Sequence, residues 1–237
     1  MSVKHLGFLC ALFCSSTFAA NGIPIPNYTP ALYGPYLEGE LGAAIVDWKH
    51  FGSQFGPRVF ADGVATGTRY AEGGLMGGVD GGYQFNKNFA VEVGAIALPR
   101  AKATGEFSPL ASPVSSEANT FFLYAGGKIQ KQFAIDNFVF FKLGAAYRYT
   151  SFRASSEITG DSFSQKGYHF LPMFALGMTH FFTPAFSINF EYMHVPAIIQ
   201  HFVTFPGGNV SSVNAPAANV FLIGLGYMYN GTYQGIE

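Results

Sequence analysis

Along most of the chain, apolar residues recur with a period of two, separated by small or charged ones. Asn219–Tyr229 carries the pattern most clearly: Phe221, Ile223, Leu225, Tyr227 and Tyr229 share one face. Val220, Leu222, Gly224, Gly226 and Met228 share the other. Strict alternation predicts a β-strand. A strand with one wet face would set polar residues opposite the apolar ones. Bulky apolar against small is expected where one face meets lipid and the other a tightly filled barrel interior.

Seven further stretches repeat the alternation. Tyr36–Trp48 sets Leu37, Leu41, Ala43 and Ile45 against Glu38, Glu40, Gly42 and Ala44. Leu75–Phe85 sets Leu75, Val79, Tyr83 and Phe85 against Gly78, Asp80, Gly82 and Gln84. Phe89–Leu98 has Val91, Val93, Ala95 and Ala97 outward, with Glu92, Gly94 and Ile96 inward. Asn119–Ile129 sets Phe121, Leu123, Ala125 and Ile129 against Phe122, Tyr124, Gly126 and Lys128. Asn137–Tyr149 sets alternate residues from Val139 to Tyr149 against Phe140, Lys142, Gly144, Ala146 and Arg148. In Tyr168–Phe182, where Pro172 and clustered aromatics blur the pattern, Phe174, Leu176 and Met178 are read as outward. Ala185–Val195 has Phe186, Ile188, Phe190 and Tyr192 outward, with Ser187, Asn189, Glu191 and Met193 inward.

The connections alternate in length. Asn86–Asn88, Gln130–Asp136 and Thr183–Pro184 are short; Lys49–Gly74, Pro99–Ala118, Thr150–Gly167 and Pro196–Ala218 are long and polar. Outer-membrane barrels pair short periplasmic turns with longer extracellular loops. The predicted fold is therefore all-β, an eight-stranded antiparallel up-and-down transmembrane barrel with both termini on the periplasmic side. A soluble eight-stranded barrel would carry polar residues on its outer face; here the charges fall on the inner one.

Composition agrees. Charged residues make up 11% of the chain, hydrophobic residues 49% and aromatics 17%, against roughly 25% charged in an average soluble domain. Mean hydropathy is +0.22. Outside the N-terminal segment no run approaches the ~18–20 apolar residues a spanning helix needs, and a barrel satisfies its backbone in lipid without one. A net charge of −1 gives no footprint for nucleic acid.

Residues 1–20 read as a signal peptide: Lys4, the apolar run Leu6–Phe13, then small residues, with cleavage near Ala19/Ala20. Both cysteines, Cys10 and Cys14, fall inside it, so no disulfide is expected after cleavage. Residues 21–35, with Pro24, Pro26, Pro30 and Pro35, read as an extended periplasmic lead-in without ladder partners. The barrel is expected over 36–229, with a short tail at 230–237.

The inward positions gather Glu38, Glu40, Asp80, Glu92 and Glu191 with Lys128, Lys142 and Arg148. Isolated buried charges cost several kcal/mol each, so these side chains are expected to form an ion-pair network that plugs the lumen. The network can serve as the barrel's polar core, or as a narrow ion path that opens when partners exchange. Other chemistry finds little support. The paired glycines Gly73–Gly74, Gly77–Gly78 and Gly81–Gly82 lack the Lys-Ser/Thr of a phosphate loop. His169, His180, His194 and His201 lack metal-ligand spacing. No nucleophile–base pair assembles around Asp47, Glu157 or Asp161. No catalytic centre, cofactor or metal is expected.

The opening Tyr36-Leu37-Glu38-Gly39-Glu40-Leu41-Gly42 and the closing Gly224-Leu225-Gly226-Tyr227-Met228-Tyr229 resemble the small outer-membrane β-barrel family, which includes opacity-type surface antigens and the barrel domain of outer-membrane protein A. The resemblance runs from about Tyr36 to Tyr229. It implies that Gly224, Tyr227 and Tyr229 form the assembly signal read by the barrel assembly machinery. Two departures stand out: Leu222 replaces the usual polar residue, and residues follow the last aromatic. The resemblance also implies outer-membrane lipid as surroundings. It further implies a surface-exposed structural or adhesive antigen whose four loops contact a host or environmental surface ligand. The alternative is a narrow channel for ions or small hydrophobic molecules; fold alone does not choose between them.

Overall fold

The computed structural model describes residues 28–46, 64–70, 73–108, 112–156, 162–203, 210–215, 217–229 and 232–235. The expected signal peptide with its cleavage site, and Trp48, lie outside these residues. Among the described residues there are fourteen strands: β1 (Tyr28–Ala31), β2 (Gly34–Val46), β3 (Val64–Tyr70), β4 (Gly73–Asn86), β5 (Phe89–Ala97), β6 (Ala101–Ser108) and β7 (Ser112–Ala134), then β8 (Asn137–Ser156), β9 (Ser162–Phe181), β10 (Phe186–Val195), β11 (Ile198–Val203), β12 (Val210–Ala215), β13 (Ala218–Met228) and β14 (Thr232–Gly235).

Eight of them close a ring. The order β7-β5-β4-β2-β13-β10-β9-β8 returns to its start through the β7–β8 ladder, with every pairing antiparallel. β2 and β13 form the seam between the two ends of the chain, with Glu38 facing Gly226 and Glu40 facing Gly224 across it. The predicted eight-stranded barrel is thus present, and so are its faces. Leu37, Leu41, Leu75, Val93, Leu143, Phe170 and Leu225 are exposed on the outer wall, up to 87% for Leu75, while Glu38, Asp80, Lys142 and Arg148 are buried inside. The blurred stretch resolves as read, with Phe174, Leu176 and Met178 exposed and Ala175 and Thr179 buried. An apolar outer wall around a charged interior is the arrangement of a barrel solvated by lipid.

The connections expected as loops are largely strand. β3 and β6 continue β4 and β5 beyond the ring and pair with each other; β6 also pairs with the start of β7. The β7–β8 ladder runs as far as Val114 and Ser156, and β8 and β9 stay paired to Ser155 and Ser162. β11 and β12 form a further hairpin above β10 and β13. These segments lack an apolar period in the sequence. They form by extending ladders already in register, which no local pattern reports.

At the other end the turns are tight. The Asn88 N–H donates to Asn86 Oδ1 at 2.9 Å, an Asx turn that replaces a backbone bond. The Phe186 N–H donates to Thr183 Oγ1 at 3.0 Å. The connection expected over Gln130–Asp136 shrinks to Ile135–Asp136, because β7 continues to Ala134 through an irregularity after Gln132.

The lead-in also differs from expectation: β1 pairs with β14, Tyr28 facing Gly235 and Ala31 facing Thr232. Pro30 is tolerated there because β1 has a single neighbour, so its missing N–H can face away from the ladder. Between β1 and β2, Gly34 has φ 124°, a conformation side chains disfavour. Just before it, Leu32 turns inward and is 2% exposed.

Inside the ring, aromatics stand directly across from glycines: Tyr36 from Gly82, Tyr124 from Gly94 and Phe140 from Gly177. A Cβ on Gly82 would come within 2.6 Å of the Tyr36 ring, and one on Gly94 within 2.5 Å of Tyr124. The large-against-small alternation is therefore how an eight-stranded lumen fits rings at all. Gly94→Val should destabilise the folded barrel by about 1–3 kcal/mol through overpacking, read as a lower urea midpoint in vesicles; an unchanged midpoint would show that Tyr124 can move aside.

Candidate functional site in the barrel lumen

All eight charged residues expected inside are inside, and each is at most 5% exposed. Their organising group is Lys142, on β8. Its Nζ lies 2.6 Å from Glu191 Oε2, 2.9 Å from Glu92 Oε2 and 3.7 Å from Asp80 Oδ2. Lys128 stands directly across the β7–β8 ladder from Lys142. Like charges in such a pair repel. Glu92 separates them, giving Oε2 to Lys142 and Oε1 to Lys128 at 3.4 Å.

Aromatic faces complete the cationic side. The Lys128 ammonium lies 4.5 Å from the centre of the Phe140 ring and 5.6 Å from that of Tyr36, and Lys142 lies 5.3 Å from Phe140. Such contacts strengthen when both groups are out of water. The Tyr124 hydroxyl donates to Asp80 Oδ2 at 2.9 Å. Tyr124 and Phe140 are legible as inward residues in the sequence, yet only the folded geometry gives them, with Tyr36, a part in holding the charges.

Glu38 and Glu40 enter from the seam. Glu38 sits across from Asp80 on β4, and its carboxylate fills the space where a Gly224 side chain would stand. Glu40 Oε2 would touch a Cβ on Gly78 at 2.9 Å. The glycines of β4 and β13 are thus recesses for carboxylates. Glu38, Asp80 and Glu92 bring ligand oxygens within 4.8 Å of one another, the spacing of a metal-binding set. The set does not suit an ion, because both Glu92 oxygens and Asp80 Oδ2 already face ammonium groups.

The expected plug needs a correction in its extent. The charged belt is one layer of three, not the whole interior. At the turn end Leu32, Phe138, Phe181 and Met228 pack together, with Tyr36 against them. On the hairpin side a larger apolar cluster includes Val46, Ile96, Phe122, Met173, Met193, Val195 and Val220. Arg148 belongs to this upper layer, its guanidinium 5.6 Å from the Phe122 ring centre. Six residues of strand separate it from Lys142, about 20 Å along the axis of β8. Between the turn-end plug and the belt, a pocket of about 20 Å³ is lined by Glu38, Gln84, Lys128, Asn189 and neighbours. That is room for little more than one water.

Removing one partner of a buried ion cluster costs about 3–5 kcal/mol, because the others remain buried and uncompensated. Lys142→Met should lower barrel stability by that amount in urea titrations of the vesicle-folded protein. Adding Glu92→Gln and Glu191→Gln to Lys142→Met should restore part of it. A Lys142→Met variant as stable as the parent would mean that the carboxylates are held by something other than this ammonium.

The family model described as outer membrane protein beta-barrel domain matches residues 6–229. No curated protein matches the chain. Among solved structures, the attachment invasion locus protein Ail of Yersinia pestis is 15% identical, covering 83% of this chain and 99% of its own, with a TM-score of 0.46. The outer membrane protein OprG of Pseudomonas aeruginosa is 13% identical, covering 86% of this chain and 100% of its own, with a TM-score of 0.49. Neisserial surface protein A is 12% identical, covering 83% of this chain and 97% of its own, with a TM-score of 0.43. With the family model spanning nearly the whole barrel, the chain belongs to the outer-membrane protein β-barrel family of the bacterial outer membrane.

Proposed function

We propose that this protein is a closed outer-membrane barrel that displays its extended hairpins at the cell surface as a structural and adhesive antigen. The observation that carries this reading is the layered lumen: a belt centred on Lys142 and its three carboxylates, with apolar packing on both sides. A solute would have to part both apolar layers and break buried ion pairs. The part left for recognition is then the hairpin end, where β3–β6, β11–β12 and the upper β7–β8–β9 wall extend past the ring. Segments of that kind, held by a rigid scaffold, are where recognition resides. On this reading the partners are lipid around the wall and a host or environmental ligand at the hairpins, and the role is not enzymatic.

The second reading, a narrow channel for ions or small hydrophobic molecules, draws on one observation: the pocket beside Glu38 and Lys128, lined by polar and apolar side chains together, adjoins the turn end. Planar-bilayer recording separates the two. The closed barrel should give no discrete conductance steps; steps that vanish on Glu38→Ala or Lys128→Ala would overturn it. Protease treatment of intact cells should cut within Lys49–Gly74 and Pro196–Ala218, and protection of both would reverse the orientation.

Gly224, Tyr227 and Tyr229 are read as the assembly signal. Tyr227 and Tyr229 are exposed on the outer wall at the turn end, where a periplasmic machinery meets an unfinished barrel. Gly224 has a second reason to be glycine, since Glu38 occupies its side-chain space. Tyr229→Ala should lower the level of folded barrel in the outer membrane several-fold while leaving refolding in vesicles intact. Unchanged levels would remove this role from the C-terminal strand.

A further inference from the structure

We propose that the pocket between the charged belt and the turn-end plug binds a single sodium ion, held by oxygens of Glu38, Thr179, Ser187 and Asn189. The four side chains line this pocket from strands that meet around the seam. Glu38 on β2 and Ser187 on β10 both face Gly226, and Asn189 on β10 faces Thr179 on β9. Around the space that a Gly226 side chain would fill, Ser187 Oγ, Asn189 Nδ2 and Glu38 Oε2 come within 2.6, 3.7 and 3.9 Å. Asn189 and Thr179 are 3% and 5% exposed, and neither Asn189 Oδ1 nor Thr179 Oγ1 has a hydrogen-bond partner among the described residues. Buried oxygens in that state are costly, and two of them on facing residues call for one shared partner. A half-turn of the Asn189 amide exchanges Nδ2 for Oδ1 and sets that oxygen beside Glu38 and Ser187. Gln84 and Gln130, on the same pocket, spend Nε2 on the Phe89 and Lys87 carbonyls at 3.2 and 3.1 Å. The space is therefore richer in acceptors than in donors.

Charge makes the missing partner a cation. Within the belt Glu38, Glu40, Asp80, Glu92 and Glu191 are buried with Lys128 and Lys142, five acids to two ammonium groups. The belt's ion pairs engage Asp80, Glu92 and Glu191, and Glu38 stands outside them. Lys128 lines the pocket too, but its ammonium is committed to Glu92 Oε1 at 3.4 Å and to the face of the Phe140 ring. The donor set then narrows the choice of ion. One carboxylate, one amide and two hydroxyls are hard oxygen ligands carrying a single negative charge. Calcium takes about six to eight oxygens, and magnesium keeps several of its waters. Zinc or copper would want imidazole or thiolate, and neither lines the pocket. A volume of about 20 Å³ admits only an ion stripped of its hydration shell. Sodium, singly charged and smaller than a water molecule, fits both the ligands and the space. Phe181 and Met228 close the turn end of the pocket, so the ion enters as the barrel folds.

Coupling to folding supplies the test. The full chain would be folded in phosphatidylcholine vesicles and titrated with urea in sodium chloride or in choline chloride, at equal ionic strength so that screening is the same. Choline is too large for the pocket. Sodium should raise the folding equilibrium constant saturably, by about elevenfold at a concentration ten times its dissociation constant. Thr179→Val, which removes only the hydroxyl, and Glu38→Gln should each lose most of this gain. Thr120→Val, whose hydroxyl meets that of Thr150 in the upper layer, should keep it. A pocket that holds only water would give the same midpoint in both salts. That result, a sodium gain that survives both pocket variants, or a gain that Thr120→Val removes equally would each overturn the site. The outcome is independent of the closed-barrel reading, since conductance reports passage and the sodium gain reports a resident ion.

Discussion

The rest of this structure depends on closing a backbone hydrogen-bond ladder where no water can complete it. In hydrocarbon an unpaired N–H or C=O costs several kcal/mol, so a sheet there must have no edge. The chain meets the condition through β7–β8, whose register runs from Val114 and Ser156 to Ala134 and Asn137 and joins the two ends of an otherwise open sheet. The β2–β13 seam does the same for the chain's two ends. Once the ring is closed, each strand can present only one alternate set of side chains to lipid and the other to a confined lumen.

Confinement explains the interior. In the charged belt the aromatics enter where a facing residue is glycine, as at Tyr36–Gly82, Tyr124–Gly94 and Phe140–Gly177. Carboxylates could enter only where glycine left a recess, as Gly224 does for Glu38. Lys142 is long enough to reach acids from β4, β5 and β10 at once, none of which flanks its own strand β8 in the ring. Apolar layers on either side keep water from that cluster and strengthen its electrostatics, and the same layers make loss of one member costly.

Much of this is legible in the sequence. The period-two alternation placed all eight ring strands, and it assigned Leu37, Phe121 and Leu225 to the wall and Glu38, Phe122 and Gly224 to the lumen. That succeeds because a closed barrel makes facing depend on parity alone. The alternation was silent where the sequence has no regular apolar period. β3, β6, β11 and β12 read as loops, and β1 and β14 read as unpaired lead-in and tail, because their ladders continue or add to neighbours without an apolar period of their own. The charged set was legible for the same reason as the strands, but its partition was not. Arg148 and Lys142 share a face and a strand, yet about 20 Å of rise puts them in different layers.

By itself, then, the sequence determined which residues face lipid and which face inward, because alternation is a local property of each strand. It also determined that the charges lie inside, where a soluble barrel would have kept them out. Only the tertiary structure decided which carboxylates Lys142 holds and which glycine receives each ring. It decided, too, that Glu38, Thr179, Ser187 and Asn189 line one pocket. Those outcomes depend on register between strands far apart in the chain, and register is set by the closure of the whole ring.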